Sequence, residues 1–185
     1  MVIAYHSVFT TYGTWLPNDP RGSYSKQVYR AELRHLAPPQ YGRQSPQPDR
    51  GTLSRFWTAA RPNMKYPPYF MTKAAHRVIA RAFGETVRRL SLRIAGCAIM
   101  TDHVHLVVLR SKYRIEYAVG QLKGTATNAL GLDRTPWSRG SGRNVFLNDW
   151  EAVQAAVQYV EANPTAAGLP PQRWDFVEPL PDSAW

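Results

Sequence analysis

Two histidines separated by one residue are the side chains of this sequence best suited to chemistry. His103 and His105 lie within an apolar run at residues 100–109. Alternate residues of a β-strand project from the same face, so a strand here would place both imidazoles side by side. Two neutral imidazoles bind a divalent ion well but leave its coordination shell incomplete, so a third protein ligand and open positions are required. The pair therefore predicts half of a metal site.

A tyrosine and an asparagine one helical turn apart could complete that site. Tyr159 and Asn163 lie near the end of a predicted helix and share one side of it. Asn163 can supply an amide oxygen as the third ligand. A free tyrosine hydroxyl has a pKa of about 10 and attacks poorly at neutral pH unless a cation stabilises the phenolate or polarises a phosphate. A bound metal ion could do both, so the four residues suggest phosphodiester chemistry.

Each of these signals also has a structural interpretation. A His-x-His pair on an apolar strand is more often packed than metal-binding, a helical tyrosine usually only packs, and an asparagine before proline usually closes a helix. Tyr113 and Tyr117 compete with Tyr159 for the role of nucleophile. The remaining histidines show no ligand spacing and are interpreted as structural; they are His6, His35 and His76.

Length, charge and cysteine content limit the class of protein. The chain has 185 residues, 44% of them hydrophobic, enough for one domain with a sizeable core. A net charge of +10 favours a polyanionic partner, nucleic acid before an acidic membrane surface. Cys97 is the only cysteine, which excludes a disulfide framework and a cysteine-type zinc site. No apolar run approaches the roughly 20 residues needed to span a bilayer, so we expect a cytoplasmic protein without membrane contact.

A single domain over residues 1–185 is expected, with a basic, proline-rich insertion at about 17–68 and a proline-rich tail at about 164–185. The insertion holds nine of the fifteen prolines and is predicted to have little regular structure. Its cations alternate with aromatic residues, a mixture that binds single-stranded DNA through phosphates and bases. The candidate DNA-binding residues in the insertion are Arg21, Lys26, Arg30, Arg55, Trp57 and Lys65. Lys123 and Thr127, farther along the chain, are weaker candidates for phosphate contact.

The hydrophobic pattern predicts strand, helix, strand, strand, helix, strand, helix. The predicted strands span residues 2–11, 93–100, 103–109 and 145–147. The first predicted helix is capped by Thr72 and runs to Leu90, and the second starts at Ile115 and ends before Gly131. The third starts at an Asn148/Glu151 capping box, runs to about Ala162 and is ended by Pro164. This order is typical of an α+β, ferredoxin-like split β-α-β sandwich with an extra C-terminal helix, which would carry Tyr159. The nearly unbroken apolar character of strand 103–109 predicts a central position in the sheet.

Three segments of the chain carry a resemblance to a known family. They are residues 9–22, FTTYGTWLPNDPRG, residues 100–108, MTDHVHLVV, and residues 159–169, YVEANPTAAGL. Together they resemble the HUH single-tyrosine transposases, the insertion-sequence-200-like class, and in particular its REP-associated tyrosine transposase branch. The resemblance covers most of the chain and is far more specific than His-x-His alone.

The resemblance implies a fold and an activity. His103 and His105 would be the HUH metal ligands, Tyr159 the nucleophile, and Asn163 would stand where the family places its third ligand. It implies the HUH endonuclease fold and a Mg²⁺- or Mn²⁺-dependent endonuclease and strand transferase. Such an enzyme cuts single-stranded DNA, forms a 5′-phosphotyrosine and recognises a DNA hairpin, here a REP-like palindrome, with a short guide sequence. A bacterial, nucleoid-associated monomer or homodimer is expected.

Two other functions compete with this one. A catalytically silent regulator could keep the same fold and bind DNA hairpins without cutting them. A histidine-triad nucleotide hydrolase would need His-x-His-x-His, and here Val107 occupies the place of the third histidine. That chemistry therefore lacks its nucleophile.

Overall fold

The computed structural model describes residues 1–25, 28 and 31–180, which form two compact units. Met1–Thr10 and Phe70–Trp185 make up the first, here called the sheet unit, and Thr11–Tyr69 make up the second, the insertion unit. The elements in chain order are β1 (Ala4–Thr10), α1 (Ala31–Arg34), α2 (Arg50–Ala60), a 3₁₀ turn (Arg61–Asn63), α3 (Lys73–Leu90), β2 (Ile94–Ile99), β3 (His103–Leu109), α4 (Ile115–Ala129), β4 (Arg143–Leu147) and α5 (Trp150–Ala166). None of the described helices is both long and apolar enough to cross a membrane.

The sheet unit is built on four antiparallel strands in the order β2-β3-β1-β4. β3 lies between β2 and β1, and all of its residues after His103 are buried. This confirms the central position that its apolar sequence predicts, because a strand paired on both edges and covered on both faces has no side left for water. The sheet with its helices confirms the predicted α+β sandwich.

The two faces of the sheet are covered by different helices. On one face, Val107 of β3 joins a core cluster with Val153 and Val160 of α5. On the opposite face, Phe9 of β1 packs edge-on against Phe83 of α3. Because side chains alternate along a strand, the histidines of β3 that share the parity of Val107 lie on the face covered by α5.

Helix ends in the sheet unit agree with the sequence at α3 and differ from it at α5. Thr72 caps α3, and its hydroxyl accepts a hydrogen bond from the Ala75 amide, as predicted. The predicted Asn148/Glu151 capping box is wrong: the cap is Asp149, which is extended (φ −142°) and whose carboxylate accepts from the Ala152 amide at 2.8 Å.

The predicted end of α5 before Pro164 is also wrong, since Pro164 lies inside the helix and α5 continues to Ala166. Proline removes one N–H donor from a helix, and its ring disfavours the helical conformation of the residue before it. Here the missing bond falls in the last turn, and Pro164 is buried. Packing of the proline ring offsets the lost hydrogen bond, so the helix is not broken.

The insertion unit contains more regular structure than its prolines predict. Asp49 caps α2 by accepting from the Thr52 amide at 2.8 Å, and the next turn is 3₁₀. Phe56 on one side of α2 packs with Leu16 and Leu33 in a separate small core. The expectation of little regular structure at 17–68 was therefore wrong for α1, α2 and the 3₁₀ turn, because the prolines flank α2 and do not interrupt it.

The proline-rich tail runs along the free edge of the sheet. The side-chain amide of Gln172 accepts from the Ile99 N–H and donates to the Ile99 carbonyl, both at 2.8 Å. The backbone N–H of Glu178 donates to the Ile94 carbonyl. These bonds occupy edge groups of β2 that would otherwise face solvent. The tail, as far as residue 180, therefore belongs to the sheet unit.

Candidate active site

The pleat of β3 places the two histidines of the motif in direct contact. His103 Nε2 and His105 Nε2 lie 2.9 Å apart, and the two ring planes meet at 78°. Asp102, in the turn before β3, places its carboxylate 2.6 Å from His103 Nδ1. The carboxylate can only accept here, so His103 Nδ1 carries the hydrogen; in the neutral imidazole the Nε2 lone pair is then directed toward His105.

This separation fits two ligands of one divalent ion. Two nitrogens about 2.1 Å from an ion at a right angle are about 3.0 Å apart, close to the observed 2.9 Å between His103 and His105. The carboxylate behind His103 matches the usual support of a metal-bound histidine. Among the described residues, no group of three or more His, Cys, Asp or Glu side chains is arranged to hold a metal. An amide oxygen as third ligand stays a prediction.

His6, interpreted from the sequence as structural, lies in this site. Antiparallel pairing of β1 with β3 brings its Nε2 to 3.1 Å from His105 Nδ1, and the two rings stack at 5.3 Å. The sequence contains no spacing signal for this contact, because the two residues are 99 positions apart. The available signal is parity: His6 shares the face of Ala4, which packs in the core beneath α5.

Tyr159 is brought to the same imidazoles from α5. Its ring lies 5.6 Å from that of His105 and 5.8 Å from that of His6, edge-on to both, and its side chain is 53% exposed. The rival tyrosines, Tyr113 and Tyr117, stack on each other at 5.3 Å. Of the three, Tyr159 is the tyrosine that contacts the histidines while remaining open to solvent.

Asn163 lies one turn after Tyr159 on α5. Its amide nitrogen donates to the Tyr159 carbonyl at 2.6 Å, which commits the nitrogen to the helix and leaves the amide oxygen as the atom available to a cation. In the described part of the chain, no hydrogen bond joins Asn163 to either imidazole of the motif. Its role as a metal ligand stays a prediction.

Burial keeps the central imidazole neutral. Burial, with the neighbouring His103 and His6 adding to the effect, lowers the pKa of His105 to about 3. Burial and the positive charge of Arg143 also lower the pKa of His6. Metal ligation requires a neutral imidazole, so His105 would not need to lose a net proton before binding an ion at neutral pH.

The DNA-binding candidates of the insertion unit have different surroundings. Arg21 is held inside the unit: its guanidinium binds the fully buried Asp19 through two nitrogens, at 2.9 and 2.7 Å, and stacks 3.8 Å above Trp15. Trp57 is half-buried on α2. The ammonium of Lys65 lies 5.2 Å from the ring centre of Tyr66.

The other candidates are Arg55, Lys26 and Arg30. Arg55 is exposed and donates to the Thr52 hydroxyl at 3.1 Å. Lys26 and Arg30 lie outside the described residues. Contact between these six residues of the insertion and DNA stays a prediction.

Lys123 and Thr127, the candidates in the sheet unit, already bind the protein. Lys123 Nζ donates to the carbonyls of Ser138 and Gly140 at 2.6 and 2.7 Å, and burial lowers its pKa to about 8. The Thr127 hydroxyl donates to the Lys123 carbonyl at 2.8 Å. The Lys123 bonds hold the loop that follows α4, whereas the Thr127 bond stays within the helix. Phosphate contact by either side chain stays a prediction.

The fold is similar to that of one solved transposase structure. A REP-associated tyrosine transposase bound to a REP hairpin is 11% identical, with a TM-score of 0.51 over 90% of this chain and 68% of that chain. A candidate transposase from Deinococcus radiodurans is 13% identical, with a TM-score of 0.40 over 88% of this chain and 91% of that chain. No family model matches the sequence, and no curated protein does so. At 11% identity, the first similarity shows a shared fold alone, and the second adds no argument.

Proposed function

We propose that this protein is a metal-dependent single-stranded DNA endonuclease and strand transferase of the transposase type. The observation that carries the proposal is the convergence of Tyr159 from α5 and the His103/His105 pair from β3. A solvent-exposed hydroxyl beside two imidazoles at ligand spacing is an arrangement for metal-assisted attack on a phosphate. A site evolved only for packing has no need of an exposed tyrosine above the buried His105.

The residues of the site divide the chemistry among them. His103 Nε2, His105 Nε2 and the Asn163 amide oxygen would hold Mg²⁺ or Mn²⁺, which when bound polarises the scissile phosphate and favours the phenolate. The Tyr159 oxygen attacks phosphorus, the bond from phosphorus to the 3′ oxygen breaks, and the tyrosine proton passes through solvent to that oxygen. The products are a 5′-phosphotyrosine and a free 3′ hydroxyl. The new ester retains the free energy of the broken one, so a second 3′ hydroxyl can reverse the step without ATP.

We propose a DNA hairpin of the REP-like palindromic class as substrate. The support is the net charge of +10 and the fold shared with a transposase that was solved with a REP hairpin bound. The protein electrostatic field would attract any nucleic acid, so charge sets the partner class while the fold similarity suggests the hairpin.

In the insertion unit, one side of α2 is suited to the single-stranded flank of such a substrate. An open cavity of about 290 Å³ is lined by Arg50, Leu53, Ser54, Trp57, Thr58 and Arg61. In the described part of the chain, the guanidiniums of Arg50 and Arg61 have neither a hydrogen bond nor an ion pair. Two uncommitted guanidiniums on either side of an accessible indole can bind phosphates while a base stacks on the ring.

The adduct assay tests the proposed activity. The wild-type protein is incubated with Mn²⁺ and a labelled hairpin oligonucleotide that carries single-stranded flanks, then separated on a denaturing protein gel. We expect a labelled covalent adduct from the wild type and none from Tyr159→Phe, whereas both proteins bind the hairpin with the same affinity because the substitution deletes one oxygen. Tyr117→Phe is the matched control and should retain the adduct.

The same assay decides between the enzyme and the silent regulator. Hairpin binding by the wild type without adduct or cleavage, in Mn²⁺ and in Mg²⁺, would favour the regulator. An undiminished adduct from Tyr159→Phe would show that another residue is the nucleophile.

A further inference from the structure

A chain of short polar contacts runs through the site and ends at His6. It begins at the Asp102 carboxylate, 2.6 Å from His103 Nδ1, and passes from His103 Nε2 to His105 Nε2 at 2.9 Å. It ends with His105 Nδ1 at 3.1 Å from His6 Nε2. Each contact needs one hydrogen and one lone pair, so the direction of each bond determines the next.

Without metal, these bonds have one consistent direction when all three imidazoles are neutral. His103 donates from Nδ1 to Asp102, so His103 Nε2 has no hydrogen and accepts from His105 Nε2. His105 Nδ1 is then the acceptor, and it receives the hydrogen of His6 Nε2. In this state His105 is the Nε2–H tautomer and His6 is the donor.

Ligation requires the opposite tautomer of His105. A metal ion held between the two Nε2 atoms needs a lone pair from each, so the hydrogen on His105 must lie on Nδ1. That N–H faces His6 Nε2, which must then accept. The number of hydrogens on the pair is unchanged: the hydrogen of His105 Nε2 leaves to solvent, that of His6 Nε2 passes to His105 Nδ1, and solvent supplies one to His6 Nδ1.

We infer that His6 is a positioning residue that sets the tautomer of His105, donating to it in the metal-free protein and accepting from it when an ion is bound. This inference rests on the proposed function, because it assumes that His103 and His105 are ligands. An imidazole suits the task because its Nε2 can donate in one tautomer and accept in the other. A residue limited to one role would satisfy only one of the two states.

The surroundings of His6 make this role costly to replace. His105 is only 5% exposed, so water is poorly placed to bond its Nδ1 if His6 is removed, and a buried unbonded polar atom is unfavourable. In the sheet register, Val107 and Val145 are the direct neighbours of His6, and neither has a side chain that can bond. The ring stacks on His105 at 5.3 Å and therefore also restrains the orientation of the ligand.

Nitrogen NMR of ¹⁵N-histidine protein at pH 8 tests the inference directly. In the metal-free wild type we expect the hydrogen of His105 on Nε2, and after saturation with Mg²⁺ we expect it on Nδ1, with the reverse movement at His6. Finding the hydrogen of His105 on Nδ1 in the metal-free protein, or on the same nitrogen in both states, would overturn the inference.

Binding of Mn²⁺ alone, measured by electron paramagnetic resonance, provides a second readout that does not depend on cleavage. The His6→Phe variant keeps a ring that can stack on His105 but loses the hydrogen bond to His105 Nδ1. Its affinity for Mn²⁺ should fall by about 10- to 100-fold, the usual effect of losing an outer-shell partner. His6→Gln can donate or accept after rotating its amide, so it should recover most of the affinity. Equal affinity of His6→Phe and wild type would contradict the role of His6.

Failure of the proposed function gives a different result. If the wild-type protein binds no Mn²⁺, the proposed metal site is overturned, and with it the inference that His6 accepts from His105 when an ion is bound. If the wild type binds Mn²⁺ and forms the adduct while His6→Phe does both equally well, only the inference about His6 is lost. Thermal unfolding of His6→Phe and His6→Gln identifies any variant whose loss of affinity reflects misfolding.

Discussion

Asp102 shows how one residue outside the motif can determine what the motif does. Its carboxylate holds His103 Nδ1 at 2.6 Å, which orients the ring and leaves Nε2 as the free lone pair. In metal sites, a carboxylate bonded to a ligand histidine also increases the basicity of the ligand nitrogen. A histidine pair without such support could bind an ion through either nitrogen and in several ring orientations.

Replacing Asp102 should weaken metal binding more than folding. For Asp102→Ala we expect Mn²⁺ affinity to fall by about 10- to 100-fold. The free energy of unfolding should change by less than about 1 kcal/mol, because the Asp102 and His103 side chains are only half-buried, at 27% and 23% exposed, and an ion pair that solvent reaches contributes little. Paramagnetic resonance with Mn²⁺ and urea unfolding measure the two quantities.

Asp133→Ala, which removes the same charge at an exposed position after α4, is the control for Asp102→Ala. If both variants lose the same affinity for Mn²⁺, the cause is net charge, and orientation of His103 by Asp102 is not supported.

At the scale of elements, α5 and α2 present the side chains of the proposed sites in the same manner. In α5, Val153 and Val160 are fully buried against the sheet, while Tyr159, next to Val160, is exposed. In α2, Phe56 and Ala60 are buried, while Arg50 and, directly after the helix, Arg61 are exposed. Each helix is oriented by its apolar side, and this orientation decides which polar residues face outward.

The orientation of α2 predicts that its arginines contribute unequally to DNA binding. Arg55 lies about 140° around the helix axis from Arg50, away from the cavity. The double variant Arg50→Ala/Arg61→Ala should reduce affinity for the flanked hairpin by about tenfold or more at 100 mM salt, with a smaller slope of affinity against salt concentration. Fluorescence anisotropy of the labelled hairpin measures both effects.

The single variants distinguish binding in the cavity from a general effect of positive charge. Arg50→Ala should weaken binding several-fold more than Arg55→Ala, although each removes one exposed arginine from the same helix. Equal losses would mean that only total charge matters. The rate of adduct formation at saturating DNA should be the same in all these variants, because none of them changes the sheet unit.

At the scale of the whole molecule, the buried histidine makes stability depend on pH. The pKa of His105 is lowered to about 3 by burial and its neighbours, whereas an unfolded histidine titrates near 6.5. Between these two values the unfolded chain binds more protons than the folded one, so the free energy of unfolding rises with pH across this window and falls as the solution is acidified.

Urea unfolding of the metal-free protein measures this dependence. Between pH 7.5 and pH 5, the free energy of unfolding of the wild type should fall by up to about 2 kcal/mol more than that of His105→Gln. One proton contributes at most about 1.4 kcal/mol per pH unit. Subtracting one curve from the other removes the contribution of the carboxylates, which titrate in both proteins. His35→Gln, at an exposed position, is the matched control, and parallel curves for wild type and His105→Gln would contradict the assignment.

The features that were predictable from sequence depend on short-range periodicity. The period of two along β3 puts His103 and His105 on one face, and the 3.6-residue period of α5 puts Tyr159 above Asn163, whatever else the chain does. The same periods predict the order of strands and helices in the sheet unit. The cap at Asp149 and the course of α5 through Pro164 were missed, because several residues can serve as a cap and because packing can outweigh a proline in a last turn.

The tertiary structure alone decided which distant residues meet. Pairing of β1 with β3 carried His6 to His105 across 99 positions, and packing of α5 on the sheet carried Tyr159 to both. The driving force is burial of one apolar face of each element, which selects a register and an orientation from the whole chain at once. No local pattern encodes that choice, so the sequence determined the ligand pair and the nucleophile as candidates, and the fold determined that they share one site with His6.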